Sequence, residues 1–285
     1  MPLLPSARSE RARRRPIVVP VRIATWNVNS LKVRLPRVEE WLDYAQPDVL
    51  CLQETKLADS AFPGLAFEAL GYEAAHHGEG RWNGVAVLSR VGLIDVVDGF
   101  DDDDEPDPQA RLLWATCGGV RVASVYVPNG RALDDDHYAY KLDWLARLRR
   151  NLERAHDPTE PLVVAGDWNI APADDDVWDP AAFEGATHVS PAEREALGAL
   201  VDWGLHDSFR RCHDEGGLFS WWDYRAGNFH KKKGMRIDLL MASAPVADAV
   251  TFALIDRQAR KGSQPSDHAP VLIDVDLPTD EGAHR

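Results

Sequence analysis

Leu162-Val-Val-Ala-Gly-Asp-Trp-Asn169 is four apolar residues closed by a glycine, a carboxylate and a carboxamide. A short apolar run stopped by a turn former predicts a buried strand over Leu162–Ala165. Before it, His137–His156 places Tyr138, Leu142, Leu145, Leu148 and Leu152 on one stripe. That spacing predicts a helix, with Asp134-Asp-Asp136 supplying a cap and complementing the helix dipole. Further out, the Val- and Ile-rich runs Val21–Trp26, Val49–Leu52, Gly84–Leu88, Leu112–Cys117, Val120–Val127, Arg236–Met241 and Pro270–Val275 predict strands. Two more helices are expected. One covers Leu35–Tyr44, with Pro36 in its first turn and Val38, Trp41 and Leu42 facing inward, and the other covers Pro191–Trp203. Consecutive strands that later alternate with helices predict one α/β domain of sheets packed face to face, with helices outside.

The chain has 285 residues, 45% of them hydrophobic, enough to bury a large core. No run approaches the ~18 apolar residues of a membrane span. Residues 1–20, with Arg8, Arg11 and Arg13-Arg-Arg15, are expected to form a flexible basic tail. Pro16-Ile-Val-Val-Pro20 is too short for the apolar segment of a signal peptide. The domain is expected over 21–278, with a short C-terminal tail over 279–285. Three cysteines without CxxC spacing argue against a disulfide scaffold or structural zinc and fit a reducing cytoplasm.

A formal charge of −14 disfavours a protein that coats nucleic acid, because bulk negative charge repels phosphate. Binding then requires a local basic face. His230-Lys-Lys-Lys-Gly-Met-Arg236 supplies one, directly after the aromatic Phe219-Ser-Trp-Trp-Asp-Tyr-Arg225. Basic and aromatic groups side by side suit phosphate contact with stacking or wedging. The acidic runs Asp101–Asp107 and Asp174-Asp-Asp176 read as solvated loops.

Chemistry collects where apolar runs end, since strand ends converge at the rim of a sheet. Val21–Trp26 ends in Asn27-Val-Asn29, Val49–Leu52 in Gln53-Glu-Thr-Lys56, and Leu162–Ala165 in Gly166-Asp-Trp-Asn169 at a glycine-permitted turn. Asp238 interrupts Ile237 and Leu239, and a buried carboxylate needs a partner, for which His268 is suited. Several acids, two amides and an imidazole, without a nucleophilic Ser or Cys motif, suit a hard cation with oxygen ligands. Such an ion polarises a phosphoryl oxygen, and an Asp or His can orient the attacking water. These parts serve phosphoester hydrolysis.

Seven segments together resemble the exonuclease III family of abasic-site DNA-repair nucleases, within the endonuclease/exonuclease/phosphatase superfamily. They are Trp26-Asn-Val-Asn29, Leu52-Gln-Glu-Thr-Lys56, Val125-Tyr-Val-Pro-Asn-Gly130, Gly166-Asp-Trp-Asn169, Phe219-Ser-Trp-Trp-Asp-Tyr-Arg225, Arg236-Ile-Asp-Leu-Leu240 and Ser266-Asp-His-Ala-Pro270. The resemblance implies a DNase I-like four-layered α/β sandwich, two packed mixed sheets flanked by helices. It implies Mg²⁺- or Mn²⁺-dependent cleavage 5′ to abasic sites in double-stranded DNA, with 3′→5′ exonuclease and 3′-phosphatase or phosphodiesterase activity on blocked 3′ ends, in a monomer. By the same resemblance, Glu54 is the principal metal ligand, assisted by Asn27, and Asp167, Asn169, Asp267 and His268 surround the ion. Asp167 or Tyr126 is the base, Asn169 and His268 hold the scissile phosphate, and Asp238 orients His268. Lys56 and Arg111 support the phosphate and Trp221 wedges the duplex; Lys231, Lys232 and Lys233, from the basic run itself and not from the resemblance, are expected to contact the DNA backbone. Other readings of the parts are a superfamily phosphatase for a phospholipid or inositol phosphate, and a DNA-binding relative with little turnover.

Overall fold

In the computed structural model, residues 18–102 and 106–278 are described. The expected tails lie outside these residues, except that the first strand begins at Val18 instead of Val21 and pairs Val18 with Pro278.

Twelve strands form two six-stranded sheets. The first sheet is built from β1 (Val18–Asn27), β2 (Val49–Gln53), β3 (Glu73–His77), β4 (Val85–Ser89), β11 (Val250–Ile255) and β12 (Val271–Pro278), in the order β11-β12-β1-β2-β4-β3. The second contains β5 (Ile94–Asp98), β6 (Leu112–Cys117), β7 (Val120–Tyr126), β8 (Leu162–Asp167), β9 (Leu205–Asp207) and β10 (Asp238–Ser243), in the order β5-β6-β7-β8-β10-β9. Each sheet is mixed. β1 and β2 pair in parallel, as do β7 and β8, and the other pairings are antiparallel.

Side chains alternate across each strand and so build three apolar layers. Ile23, Cys51, Val85, Val87, Val122, Val163, Leu240 and Ile273 fill the space between the sheets. Ala24, Leu50, Leu52 and Leu88 point the other way, onto Val38, Trp41 and Leu42 of α1 (Leu31–Ala45) and Phe67 of α2 (Gly64–Glu68). Val125, Val164, Leu239 and Met241 cover the far face with Trp144, Leu145 and Leu148 of α3 (Asp136–Ala155) and Leu197 and Leu200 of α4 (Pro191–Trp203). A short α5 (Ala244–Ala247) follows β10. The result is the four-layered sandwich.

Two local expectations need correction. The first helix starts at Leu31, so Pro36 lies inside it and not in its first turn. The missing N–H leaves the Lys32 carbonyl without its helical donor, and that exposed position lets water replace it. Asp176 is not solvated. It is fully buried and accepts from Arg236 Nε at 2.7 Å and Arg210 at 2.5 Å, while Arg236 also reaches Asp207 at 2.7 Å. Burial alone would raise the Asp176 pKa, but Arg236 and Arg210 outweigh it and hold the carboxyl below its ordinary value. The other acidic run also packs. Asp107 accepts from Tyr140 and from the Trp144 indole, each at 2.7 Å, and Asp102 pairs with Arg147; residues 103–105 lie outside the described residues.

Removing one partner of a buried ion pair strands the other's charge. Asp176→Ala is therefore expected to cost about 3–5 kcal/mol in urea unfolding, whereas Asp174→Ala, at an exposed position, should change stability by less than about 0.5 kcal/mol.

Candidate active site

The register of the strands brings the polar residues to one rim. Asn27 ends β1 opposite Gln53, the last residue of β2, and Glu54 follows. Tyr126 ends β7 and Asp167 ends β8, paired in parallel register. Asp238 begins the antiparallel β10 directly opposite Asp167. His268 precedes β12, which runs antiparallel to β1.

The rim is a seam between the two sheets. Asn27 Nδ2 donates to Glu54 Oε1 at 2.8 Å and to Asp167 Oδ2 at 2.9 Å, so one carboxamide links carboxylates carried by different sheets. Gln53 crosses the same seam to Ser124 at 3.0 Å. His268 Nδ1 lies 2.9 and 3.0 Å from the two Asp238 oxygens, and its Nε2 faces Asp167 at 3.8 Å. Ligand-type atoms of Glu54, Asp167 and His268 all lie within 4.8 Å of one another.

The connecting loops are tightly specified. Asn29, Ser30, Glu54, Lys56 and Asn169 all have positive φ, at 45°, 84°, 51°, 53° and 51°. Such conformations cost of order 1 kcal/mol each and persist only where neighbours over-determine them. Here Ser30 N donates to Glu54 O at 2.7 Å and Leu31 N to Thr55 O at 3.0 Å, zipping the two loops together. Lys56 bridges Glu54 Oε2 at 2.8 Å and Asn29 Oδ1 at 2.6 Å. Asn29 passes the chain on to Asp267 Oδ1 at 3.0 Å, whose other oxygen accepts from the Trp221 indole at 3.1 Å. Gly166 serves close approach and not a turn: it lies within β8, and a Cβ there would meet the Val125 carbonyl oxygen at 1.9 Å.

Electrostatics divides the roles. Burial would depress the imidazole's pKa, but the carboxylates of Asp238, Asp167 and Asp267 outweigh it and raise His268 to about 10, making it a donor. Burial raises Asp167 to about 7, opposed by His268 and the Asn27 bond and helped by Asp238 and Glu54. Burial and Glu54 push the Tyr126 phenol well above its ordinary value despite Arg111, whose guanidinium sits 4.6 Å over the ring. A phenol so held donates a proton reluctantly and stays a hydrogen-bond donor.

Not every expected residue converges on the same point. Both Asp267 oxygens are turned to Asn29 and Trp221, and Asn169 Oδ1 is turned to Asn129 and His188 at 3.1 Å each. Trp221 is beside the site, 6.5 Å between ring centres from His268. Lys231 and Lys232 are exposed in a turn that closes where Trp221 pairs with Met235; Lys233 is half-buried with its ammonium 3.9 Å over Trp178. Arg111 donates to the Tyr126 carbonyl at 2.9 Å. Sequence reading missed His188 and the exposed Trp82, which lies with Arg111, Tyr126, Asn129 and Arg131 around a cavity of about 340 Å³. Asn129 was findable, since it lies three residues past the end of β7, much as Asn169 lies two past the end of β8. His188 carried no such signal.

The donor set fits a divalent cation: carboxylate oxygens of Glu54 and Asp167 converge, Asn27 holds both in place, and the charged imidazole of His268 lies beside them as a hydrogen-bond donor. The profile of the endonuclease/exonuclease/phosphatase family matches residues 24–268. Exodeoxyribonuclease III of Haemophilus influenzae is 34% identical over 266 residues, covering 88% of this chain and 98% of that protein. An AP endonuclease from Archaeoglobus fulgidus superposes with a TM-score of 0.87 at 34% identity, covering 90% of this chain and all of the other. A Neisseria 3′ phosphatase, solved with a product DNA hairpin, superposes with a TM-score of 0.85 at 42% identity and the same coverage.

Asp238 fixes the imidazole's orientation and its charge. Asp238→Asn is expected to lower kcat by about 10²-fold or more while changing DNA affinity less than about threefold, read from single-turnover rates and equilibrium binding.

Proposed function

This chain belongs to the endonuclease/exonuclease/phosphatase family, and we propose that it is an exonuclease III-type enzyme of DNA repair, acting on double-stranded DNA with abasic sites or blocked 3′ ends. It is a metal-dependent phosphodiester hydrolase, cleaving 5′ to abasic sites and trimming 3′ ends as a 3′→5′ exonuclease and 3′-phosphatase. The observation that carries this is the seam: Glu54, Asp167 and His268 within 4.8 Å, with Asp238 behind the imidazole and Trp221 beside it.

Glu54 and Asp167 would hold Mg²⁺ or Mn²⁺. When bound, the ion polarises a phosphoryl oxygen and stabilises the leaving oxyanion. The residues do the rest. Asp167 orients the water and takes its proton. His268 and Tyr126 would give donors to the phosphate oxygens, where charge grows in the transition state, and Asn169 the amide N–H that its bond to the Val127 carbonyl leaves over. Lys56 keeps Glu54 in place, and Arg111 positions Tyr126. Trp221 beside His268, and Trp82 with Arg81 over its ring around the same cavity as Tyr126, are the surfaces for stacking or wedging, and Lys231 and Lys232 meet the phosphates. An abasic nucleotide is cheap to extrude because it has no base to unstack, so selectivity needs no sequence readout.

The higher identity to the Neisseria 3′ phosphatase than to the AP endonuclease favours 3′-end processing as the larger activity. We take the working form to be a cytoplasmic monomer. The three cysteines are free, and among the described residues no helix is long and apolar enough to cross a membrane.

Two duplexes, one with a single abasic analogue and one with a 3′-phosphate, test this directly. Both should be processed with added Mg²⁺ and neither with EDTA, the 3′-phosphate faster. Hydrolysis that persists in EDTA, or no action on either duplex, would refute the assignment. Changing Lys231 and Lys232 together to Ala should reduce the slope of log K against log salt by about 1–2.

A further inference from the structure

Lys141 carries a formal charge and has no exposed surface. It projects from α3 behind the site, and its three N–H groups find three acceptors. These are the main-chain oxygen of Asn169 at 2.7 Å, that of Asn129 at 3.3 Å, and Oε1 of Glu193. Glu193, on α4, is equally buried and equally satisfied. Its Oε1 also takes Thr187 Oγ1 at 2.7 Å and His188 N at 2.9 Å, and its Oε2 takes the Ser190 amide at 3.0 Å and hydroxyl at 2.7 Å. Burial alone would raise this carboxyl's pKa; Lys141 and the two hydroxyls outweigh it and hold it below its ordinary value.

Such a pair is a poor device for stability, since a well-packed apolar pair often serves as well. Direction is what it adds. The two carbonyls gripped by Lys141 belong to the two asparagines whose side chains meet at the site, Asn129 Nδ2 donating to Asn169 Oδ1 at 3.1 Å. Asn169 and His188 hold φ of 51° and 78°, which an apolar contact would not enforce. Oriented N–H bonds do.

We propose that Lys141, anchored by Glu193, is a positioning residue for the reaction: it fixes the peptide planes of Asn129 and Asn169 and so aims the Asn169 carboxamide at the scissile phosphate. This rests on the reading that Asn169 contacts that phosphate. A shift of about 1 Å in such a group can cost about 10²-fold in rate.

A double-mutant cycle on the 3′-phosphate duplex tests it. Lys141→Met alone strands a buried carboxylate, so the working variant is Lys141→Met with Glu193→Gln, which removes both charges at nearly constant shape and leaves an amide oxygen that can still accept from Thr187 and the His188 amide. Its melting temperature should stay within a few degrees of the parent. Its KM should move less than threefold, and kcat should fall 10- to 100-fold. In an Asn169→Ala background the same pair of changes should alter kcat less than twofold, because there is no carboxamide left to aim. Should the pair variant fail to fold, Glu193→Gln alone is read in the same cycle. Parental kcat in the tested variant, or a loss of equal size with Asn169 removed, would make the pair merely structural and overturn the proposal. Full kcat in Asn169→Ala itself would instead remove the phosphate contact beneath it.

Discussion

Glu54 and Asp167 approach each other across the seam between two sheets, with an imidazole beside them and their ligand atoms within 4.8 Å. Two like charges at that spacing repel by roughly 3–4 kcal/mol even at an effective dielectric constant near 20. The chain offsets part of this locally. Lys56 lies on Glu54, Asn27 donates to both carboxylates, and the charge on His268 opposes that on Asp167. Bringing a divalent cation to this point reverses the sign of the remaining term. On the proposed function, the same concentration of charge that strains the folded state would give the site its affinity for metal, and through the metal for phosphate.

Keeping repelling groups together demands a stiff frame, and the sandwich provides one. Asn27, Tyr126, Asp167 and Asp238 end or begin strands packed on both faces, and Glu54, Asn169 and His268 lie within three residues of one, so their positions are set largely by the ladder. The loops beyond the strand ends are held in left-handed conformations by main-chain bonds between 27–31 and 53–56. Behind Asn169, the Lys141–Glu193 node plays the equivalent part with side chains. Bulk acidity is no obstacle. Much of it is consumed internally, as Asp176, Asp102 and Asp107 show, while Lys231 and Lys232 stay exposed.

How much of this was legible follows from where each residue sits. Eight strands were readable as apolar runs, and these are the interior strands of the two sheets. β3, β5, β9 and β11 escaped, and each is an edge. An edge strand buries less and needs fewer Val and Ile residues: β3 reads Glu-Ala-Ala-His-His, β9 has three residues, and Ile94 of β5 stands exposed. Glu54, Asp167 and Asp238 were legible because each interrupts or closes an apolar run. Lys141 was not, since a lysine on a helix reads as solvated until its burial is seen. Asp176 was misread for the same reason, one buried carboxylate hidden in a row of three. His188 lies far along the chain from any strand end, and only the tertiary structure brings its ring to Asn169.

The electrostatic reading of the seam is tested most directly without DNA, by calorimetric titration of Mg²⁺ or Mn²⁺ into the parent protein and into Glu54→Gln. One saturable site is expected in the parent. In the variant it should be weakened by at least the roughly 10–100-fold that loss of even an outer partner costs a metal site. Equal affinity in the two proteins, or no saturable binding in the parent, would mean that the facing carboxylates are not the cation's seat.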